Sequence, residues 1–190
     1  MSDAARKEAT YDELCGVPDH LMAQIVDGVL YTNPRPAKGH SNVASVLGEE
    51  LGPPFRRARG GPGGWILLDK PELHLARDIL VPDLAGWRRE RMPPMGATEA
   101  YFDLAPDWIC EVLSPSTSAL DRKRKLPIYA RERVGHAWII DPLACTLEVL
   151  RREGAQWLLL ATYADADKVR AEPFDAFELD LSFLWADVVR

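Results

Sequence analysis

The amino-acid sequence predicts an α/β protein in which a central β-sheet is flanked by helices. Apolar runs of strand length recur along the chain, and Val43, Val46, Leu47 and Leu51 follow one another at helical spacing. Near the amino terminus, an Asp-Gly pair lies between two apolar stretches, as in a tight hairpin. These three observations indicate strands and helices within one folded unit.

Length and composition indicate a single domain, residues 1–190. Of the 190 residues, 47% are hydrophobic and 27% are charged, as in ordinary folded proteins. We divide the chain into a core at residues 24–151, an amino-terminal helical brace at 1–23 and a carboxy-terminal extension at 152–190. The net charge of −6 argues against a protein that coats nucleic acid non-specifically, but it leaves room for a local basic surface.

The cysteines and the first residues of the chain indicate a cytoplasmic protein. Cys15, Cys110 and Cys145 are widely spaced and form no CxxC motif, so we expect neither a disulfide framework nor a zinc knuckle. The first residues lack the apolar core of a signal peptide. No apolar run approaches the roughly 18–20 residues that span a bilayer.

In the first third of the chain, local signals predict four elements. Thr10 and Glu13 have capping-box spacing and predict a short helix. Residues 24–31 predict a β-hairpin that turns at its Asp-Gly pair, since both central residues of such a turn need positive φ. The apolar spacing predicts a helix over residues 39–51.

The rest of the chain is predicted to be mainly β-structure. Three β-rich runs suggest an antiparallel meander, at residues 65–68, 72–75 and 79–87. Residues 107–113 form a short, nearly continuous apolar run, which is typical of a central strand. A helix is expected after it, followed by a buried strand at 136–140 and a carboxy-terminal β-meander.

Two acidic residues interrupt apolar strand patterns. Asp83 follows Pro82, which cannot donate to a sheet ladder, and Glu111 shares a strand face with Ile109 and Leu113. A buried carboxylate is costly without a partner or a metal. If the two strands are neighbours, both carboxylates can point at one magnesium ion, which prefers hard oxygen ligands and retains waters. The four histidines are scattered, which disfavours zinc.

The order of these segments resembles the putative restriction endonuclease domain family (Uma type) of the PD-(D/E)XK nuclease superfamily. The similarity covers residues 24–151 and includes VPD, EVLSPST, a helix with DxxxK, and a strand ending in WIIDP. The resemblance implies a restriction-endonuclease-like fold with a central mixed β-sheet, and a nuclease-like core at these residues. It also implies that Asp83 and Glu111 bind Mg²⁺, or Mn²⁺ in its place, with the backbone carbonyl of Val112 as a third protein ligand.

The catalytic lysine departs from the usual superfamily pattern. That lysine normally stands two residues after the glutamate, where this chain has Leu113. In this family a lysine from the following helix substitutes, which implies that Lys125 acts in catalysis beside the two acids. Pro127 falls within the expected helix, so the helix either kinks or begins near residue 126. Lys123 is the alternate lysine.

Two other polar residues have simpler explanations than catalysis. Ser114 follows the glutamate strand, but no histidine is near it in sequence, and we interpret SPSTS as a loop and helix cap. His40 could contact phosphate near a helix start, but we interpret it as an exposed residue of the capping region.

These features predict a magnesium-dependent endonuclease that hydrolyses DNA, with double-stranded DNA as the substrate and a homodimer as the form that cuts it. The candidate DNA contacts are Arg56, Arg57, Arg59, Arg88, Arg89, Arg91, Arg122, Lys123 and Arg124. The alternative is a catalytically inactive nuclease-fold protein that binds nucleic acid or a protein partner, which Leu113, Pro127 and the net charge favour. A glycosidase is less favoured, because no aromatic sugar platform lies near the two acids in sequence.

Overall fold

The computed structural model describes residues 7–188. The strands are β1 (Leu21–Val26), β2 (Val29–Pro34), β3 (Trp65–Asp69), β4 (Leu73–Leu75), β5 (Asp78–Leu80), β6 (Leu84–Arg88), β7 (Trp108–Val112), β8 (His136–Asp141), β9 (Thr146–Glu153), β10 (Gln156–Ala164), β11 (Lys168–Val169) and β12 (Leu179–Asp180). The helices are α1 (Tyr11–Cys15), α2 (Lys38–Leu51), α3 (Ser118–Leu120), α4 (Leu126–Arg131) and α5 (Ser182–Trp185). Two π-helical segments, Gly52–Arg56 and Asp121–Lys125, follow α2 and precede α4. Within residues 7–188, no helix is long and apolar enough to cross a membrane.

A six-stranded mixed sheet forms the centre of the protein, in the order β10-β9-β8-β7-β6-β3. β7 and β8 are parallel, whereas the other neighbours in this sheet are antiparallel. All five residues of β7 are buried, which confirms the predicted central strand. Because side chains alternate along a strand, Glu111 faces the layer that contains Ile109 and Leu113, while Cys110 faces the layer that contains α2.

The amino-terminal hairpin belongs to a second, four-stranded sheet in the order β2-β1-β5-β4. β1 and β2 pair around Asp27 and Gly28, whose φ angles are 51° and 72°. This geometry confirms the predicted hairpin. The side chain of Gln24, on β1, accepts a hydrogen bond at 2.9 Å from the amide of Val81. The hairpin is thereby joined to the segment that precedes β6.

The predicted three-strand meander is wrong in its pairing. The run at residues 79–87 is divided between β5, which joins the hairpin sheet, and β6, which pairs with β3 in the central sheet. The break falls at Val81-Pro82-Asp83, because the proline has no amide hydrogen with which to continue a ladder. Asp83 therefore lies in a crossover between the two sheets, where its carbonyl accepts a hydrogen bond from the amide of Lys70.

Helix α2 confirms the predicted helix and begins one residue earlier, at Lys38. Its buried face includes His40, Val43, Leu47 and Leu51, which recur at about one helical turn. The interpretation of His40 as an exposed residue is wrong, since its exposed fraction is only 9%. His40 is the first residue of the apolar stripe of α2, so it is buried together with that stripe.

The helix that contains Pro127 is irregular. The chain is helical from Ser118 to Arg131, and within it the amide of Leu126 donates to the carbonyl of Asp121 in a π-helical turn. Pro127 then falls in the first turn of α4, where its missing amide hydrogen is tolerated. Of the two alternatives, a kink or a helix that begins near residue 126, the structure shows an irregular helix that begins at Ser118, in which α4 itself starts at Leu126.

Candidate functional site

A cavity of about 310 Å³ lies where the central sheet meets the hairpin sheet. The start of α2, the segment before β6, the end of β7 and the π-helical segment Asp121–Lys125 all contribute to its wall. Its charged and titratable lining residues include Arg35, His40, Lys70, Asp83, Glu111 and Lys125. Two acids predicted from sequence and one predicted lysine therefore share one space.

Asp83 is held by three donors. Its Oδ2 accepts a hydrogen bond at 2.9 Å from the amide of Val112 and lies 3.2 Å from Nε2 of His40. Its Oδ1 accepts a hydrogen bond at 2.7 Å from Nζ of Lys70. Burial alone would raise the pKa of Asp83, but the hydrogen bond and charge of His40, together with Lys70, lower that pKa to about 2. Asp83 is therefore ionised at neutral pH.

His40 fixes Asp83 through one ring nitrogen. Because the carboxylate is ionised, the nearby Nε2 carries the hydrogen and donates. The other ring nitrogen, Nδ1, is buried and has no hydrogen-bond partner among the described residues. A buried polar atom without a partner costs about 1–3 kcal/mol. Packing alone therefore does not explain a histidine here, whereas its contact with Asp83 does.

Lys70 is a site residue that sequence analysis missed. Its φ of 45° lies in the left-handed region, so the chain turns sharply just before Pro71. The side chain is 29% exposed, reaches Asp83 and lines the cavity. Lys70 and Asp83 are 13 residues apart in sequence, and it is the pairing of β3 with β6 that brings them together.

Glu111 is held by two donors from the helical segment that covers its face of the sheet. Its Oε1 lies 2.7 Å from Nζ of Lys125 and accepts a hydrogen bond at 2.7 Å from the hydroxyl of Tyr129. Glu111 and Lys125 are each 2% exposed. Nζ of Lys125 also lies 3.3 Å from Oδ1 of Asp121 and 3.5 Å from the carbonyl oxygen of Val81.

Carboxyl groups outnumber ammonium groups around Glu111. Burial raises the pKa of Glu111 to about 8, and the charges of Asp121 and Asp83 add to this effect, against the opposing charge of Lys125. Burial lowers the pKa of Lys125, but Glu111 and Asp121 outweigh burial and the pKa is raised. One buried ammonium group thus faces two buried carboxyl groups, with Asp83 nearby. A bound cation would relieve this imbalance.

Of the two candidate lysines, the structure places Lys125 beside the carboxyl groups. Lys123 is exposed and does not line the cavity. Residues two apart on a helix point in different directions, so only one of the pair can turn toward β7.

The loop after β7 is stabilised by its own hydroxyl groups. Oγ of Ser114 accepts a hydrogen bond at 3.2 Å from the amide of Thr117 and lies 2.9 Å from the Thr117 hydroxyl oxygen. This arrangement agrees with the interpretation of Ser114 as part of a loop at a helix start.

The donor set fits a hard divalent cation. Asp83, Glu111 and Val112 all line the cavity, so both acids and the residue predicted to supply a backbone ligand border the same space. Mg²⁺ is bound in this way by one or two carboxylates, with water and substrate oxygens completing its shell. In residues 7–188, no group of three or more His, Cys, Asp or Glu side chains could hold a metal ion. A cation here would therefore depend on two carboxylates.

Four of the candidate DNA contacts, Arg88, Arg89, Arg122 and Arg124, lie outside the cavity lining. Arg88 and Arg89 are at the opposite end of β6 from Asp83. Arg122 and Arg124 pair with acidic residues outside the cavity, at 2.7 Å and 3.5 Å respectively. DNA contact by these four residues stays a prediction.

Sequence analysis also missed Arg35 and Tyr129. Arg35 lies between two prolines and carries no motif of its own. Tyr129 follows Lys125 by four residues, a spacing that places two side chains on the same face of a helix. That spacing could have indicated a second donor for Glu111.

The protein is an α/β protein of nuclease-like fold. The crystal structure of a putative nuclease belonging to DUF820 from Anabaena variabilis is similar, with a TM-score of 0.71 and 22% sequence identity. The likeness covers 92% of this chain and 96% of that chain, and it confirms the predicted fold. Residues 9–182 match Uma2, the putative restriction endonuclease family, and the chain belongs to that family. No curated protein matches this chain.

Proposed function

We propose that this protein is a magnesium-dependent endonuclease that hydrolyses phosphodiester bonds in double-stranded DNA. The observation that carries the proposal is the cavity where Asp83, Glu111 and Lys125 converge from three separate elements. Membership of the putative restriction endonuclease family supports the same reaction class.

Each residue of the cavity would have its own role in the reaction. Asp83, Glu111 and the carbonyl of Val112 would hold Mg²⁺ or Mn²⁺, which when bound polarises the phosphate and lowers the pKa of a bound water. Asp83 is fixed and ionised before any ligand arrives, so it presents its oxygens without reorganisation. Lys125 orients Glu111 and offsets the negative charge that develops on the phosphate. Lys70 is partly exposed and can approach a phosphate oxygen.

Cleavage of supercoiled plasmid tests this proposal. With Mg²⁺ the wild type should produce nicked or linear plasmid, and a chelator should stop it. Asp83→Asn and Glu111→Gln should each slow cleavage by about a thousandfold or more, because several kcal/mol of charge stabilisation are lost with the metal. The matched control is Asp175→Asn, which makes the same charge change at an exposed site. Equal cutting by all variants would exclude this cavity as the source.

A second candidate is a nuclease-fold protein that binds nucleic acid or a protein partner without cutting. One observation favours it, since each acid already pairs with a lysine at 2.7 Å, Asp83 with Lys70 and Glu111 with Lys125. Titration calorimetry separates the two candidates. The endonuclease should bind Mg²⁺ or Mn²⁺ and lose this binding in Asp83→Asn. A folded wild type that binds neither ion would support the second candidate.

The proposed cutting of both strands suggests a homodimer. Two equal sites related by a two-fold axis match the symmetry of a duplex backbone. Sedimentation velocity with and without duplex DNA should detect a dimer at concentrations that linearise plasmid. A monomer that linearises plasmid at those concentrations would contradict the dimer.

A further inference from the structure

Six arginines lie in two segments outside the cavity lining. Residues 56–59 and 88–91 together contain six arginines and a single glutamate, in a chain whose net charge is −6. All six arginines are exposed. We call this set the arginine cluster, and its members are Arg56, Arg57, Arg59, Arg88, Arg89 and Arg91.

The two segments of the arginine cluster meet beside the start of β3. The guanidinium group of Arg89 donates to the carbonyl oxygens of Arg56 at 3.4 Å and Trp65 at 3.1 Å. The guanidinium carbon of Arg88 lies 4.1 Å from the centre of the Trp65 ring, in a cation–π contact. Arg56 donates at 2.8 Å to the carbonyl of Leu67. These contacts order the cluster but neutralise none of its charge.

The charge of the arginine cluster is largely uncompensated. Across residues 7–188, Arg91 pairs with Asp107, but no salt bridge joins the other five members to a carboxylate. Elsewhere the pattern differs, because Arg122 pairs with Glu148 at 2.7 Å and Arg131 pairs with Asp78 at 2.6 Å. Exposed arginines that form no salt bridge are available to a polyanionic ligand.

The arginine cluster is connected to the cavity through β6. β6 begins directly after Asp83 and ends at Arg88, and five residues of strand span about 17 Å. Arg57 lines a groove together with Leu84, the first residue of β6, and with two acidic residues. About 17 Å is the axial length of roughly five nucleotides along one strand of duplex DNA. A duplex of this length or longer can therefore span the distance between the two places.

We propose that the arginine cluster binds the phosphate backbone of the DNA duplex whose scissile bond lies in the cavity. The proposal rests on the proposed function for the identity of the ligand. It assigns backbone binding to the edge of the sheet at β3 and the end of β6, rather than to Arg122 and Arg124 on the helical segment. Phosphate contacts of this kind set affinity and orientation and carry no base specificity.

Binding measurements in the presence of a chelator test the proposal apart from cleavage. Fluorescence anisotropy with a labelled duplex of about 20 base pairs, between about 50 and 200 mM salt, gives the affinity and its salt dependence. Arg57→Gln with Arg59→Gln should weaken binding about ten- to thirtyfold near 150 mM salt. It should also reduce the slope of log affinity against log salt by about 1.8, since two phosphate contacts are lost.

Two further pairs of substitutions serve as controls. Arg57→Lys with Arg59→Lys keeps the charge and should retain the wild-type slope. Arg77→Gln with Arg170→Gln makes the same change in net charge at two exposed sites outside the arginine cluster, and it should alter affinity less than threefold.

The outcomes separate this proposal from the proposed function. If the wild type cuts plasmid but both glutamine pairs lose affinity equally, or neither does, the arginine cluster is not the backbone site and the proposed function stands. If the wild type binds DNA through the cluster but never cuts, the proposed function fails and the binding surface stands. No DNA binding by the wild type overturns both.

Discussion

The surroundings of the two acids of the cavity shift their pKa values in opposite directions, downward for Asp83 and upward for Glu111. Asp83 lies in the crossover between the two sheets, where His40 and Lys70 bring its pKa down to about 2. Glu111 lies inside a central strand, where burial and neighbouring acids bring its pKa up to about 8. One side of the cavity thus carries a permanent anion, and the charge of the other side depends on what is bound beside it.

The lysines that serve the two acids differ as well. Lys70 is 29% exposed, whereas Lys125 is 2% exposed. A partly exposed ion pair contributes little to stability, because water solvates its charges when the pair is broken. A buried pair that loses one partner leaves an uncompensated charge in the interior. Two ion pairs with the same nitrogen–oxygen distance of 2.7 Å therefore contribute differently to the free energy of unfolding.

The largest expected effect is on stability, from removal of the buried lysine. Lys125→Met should lower the free energy of unfolding by about 3–5 kcal/mol at pH above about 8, because Glu111 and Asp121 lose their buried cation. The matched change Lys70→Met should cost less than about 1 kcal/mol. Urea denaturation of both variants measures the difference.

The pH dependence of the Lys125→Met effect sharpens the comparison. The loss should shrink as the pH falls, since a proton on Glu111 then replaces part of the missing positive charge. Equal losses for the two lysine variants, or a loss independent of pH, would contradict the contrast between the two sides.

A smaller effect is expected from the second donor to Glu111. Tyr129→Phe removes a buried hydrogen bond of 2.7 Å and should lower the free energy of unfolding by about 1.5–3 kcal/mol. Tyr163→Phe on β10 removes the same atom at a partly buried position away from Glu111 and should cost less than about 0.5 kcal/mol. If both variants unfold at the same urea concentration, the hydroxyl of Tyr129 does not hold Glu111.

The smallest expected effect concerns the pH dependence of metal binding at the proposed site. Below pH 8 the proton on Glu111 must leave before its carboxylate can bind Mg²⁺, so affinity should rise by up to about tenfold per pH unit and level off above pH 8. Asp83, with a pKa of about 2, should add no dependence in this range. Calorimetry at several pH values measures the slope, and a flat wild-type profile would rule out Glu111 as a ligand that must ionise.

Several parts of the fold and site could be predicted from sequence, because their signals are local. The hairpin depends on Asp27-Gly28, and α2 depends on apolar residues one turn apart. Glu111 stood out because a period of two assigns it to a buried strand face. The family resemblance then related Asp83 and Lys125 to the same site.

The tertiary structure alone decided which side chains complete the site and where the arginines gather. Lys70 reaches Asp83 because β3 pairs with β6, and His40 does so because α2 packs on the central sheet. The arginine cluster forms because the segment after α2 folds beside the end of β6. No local sequence pattern predicts these contacts, since they depend on pairing and packing between elements that are distant in sequence. The sequence by itself determined the elements and the two candidate acids, and long-range packing decided what surrounds them.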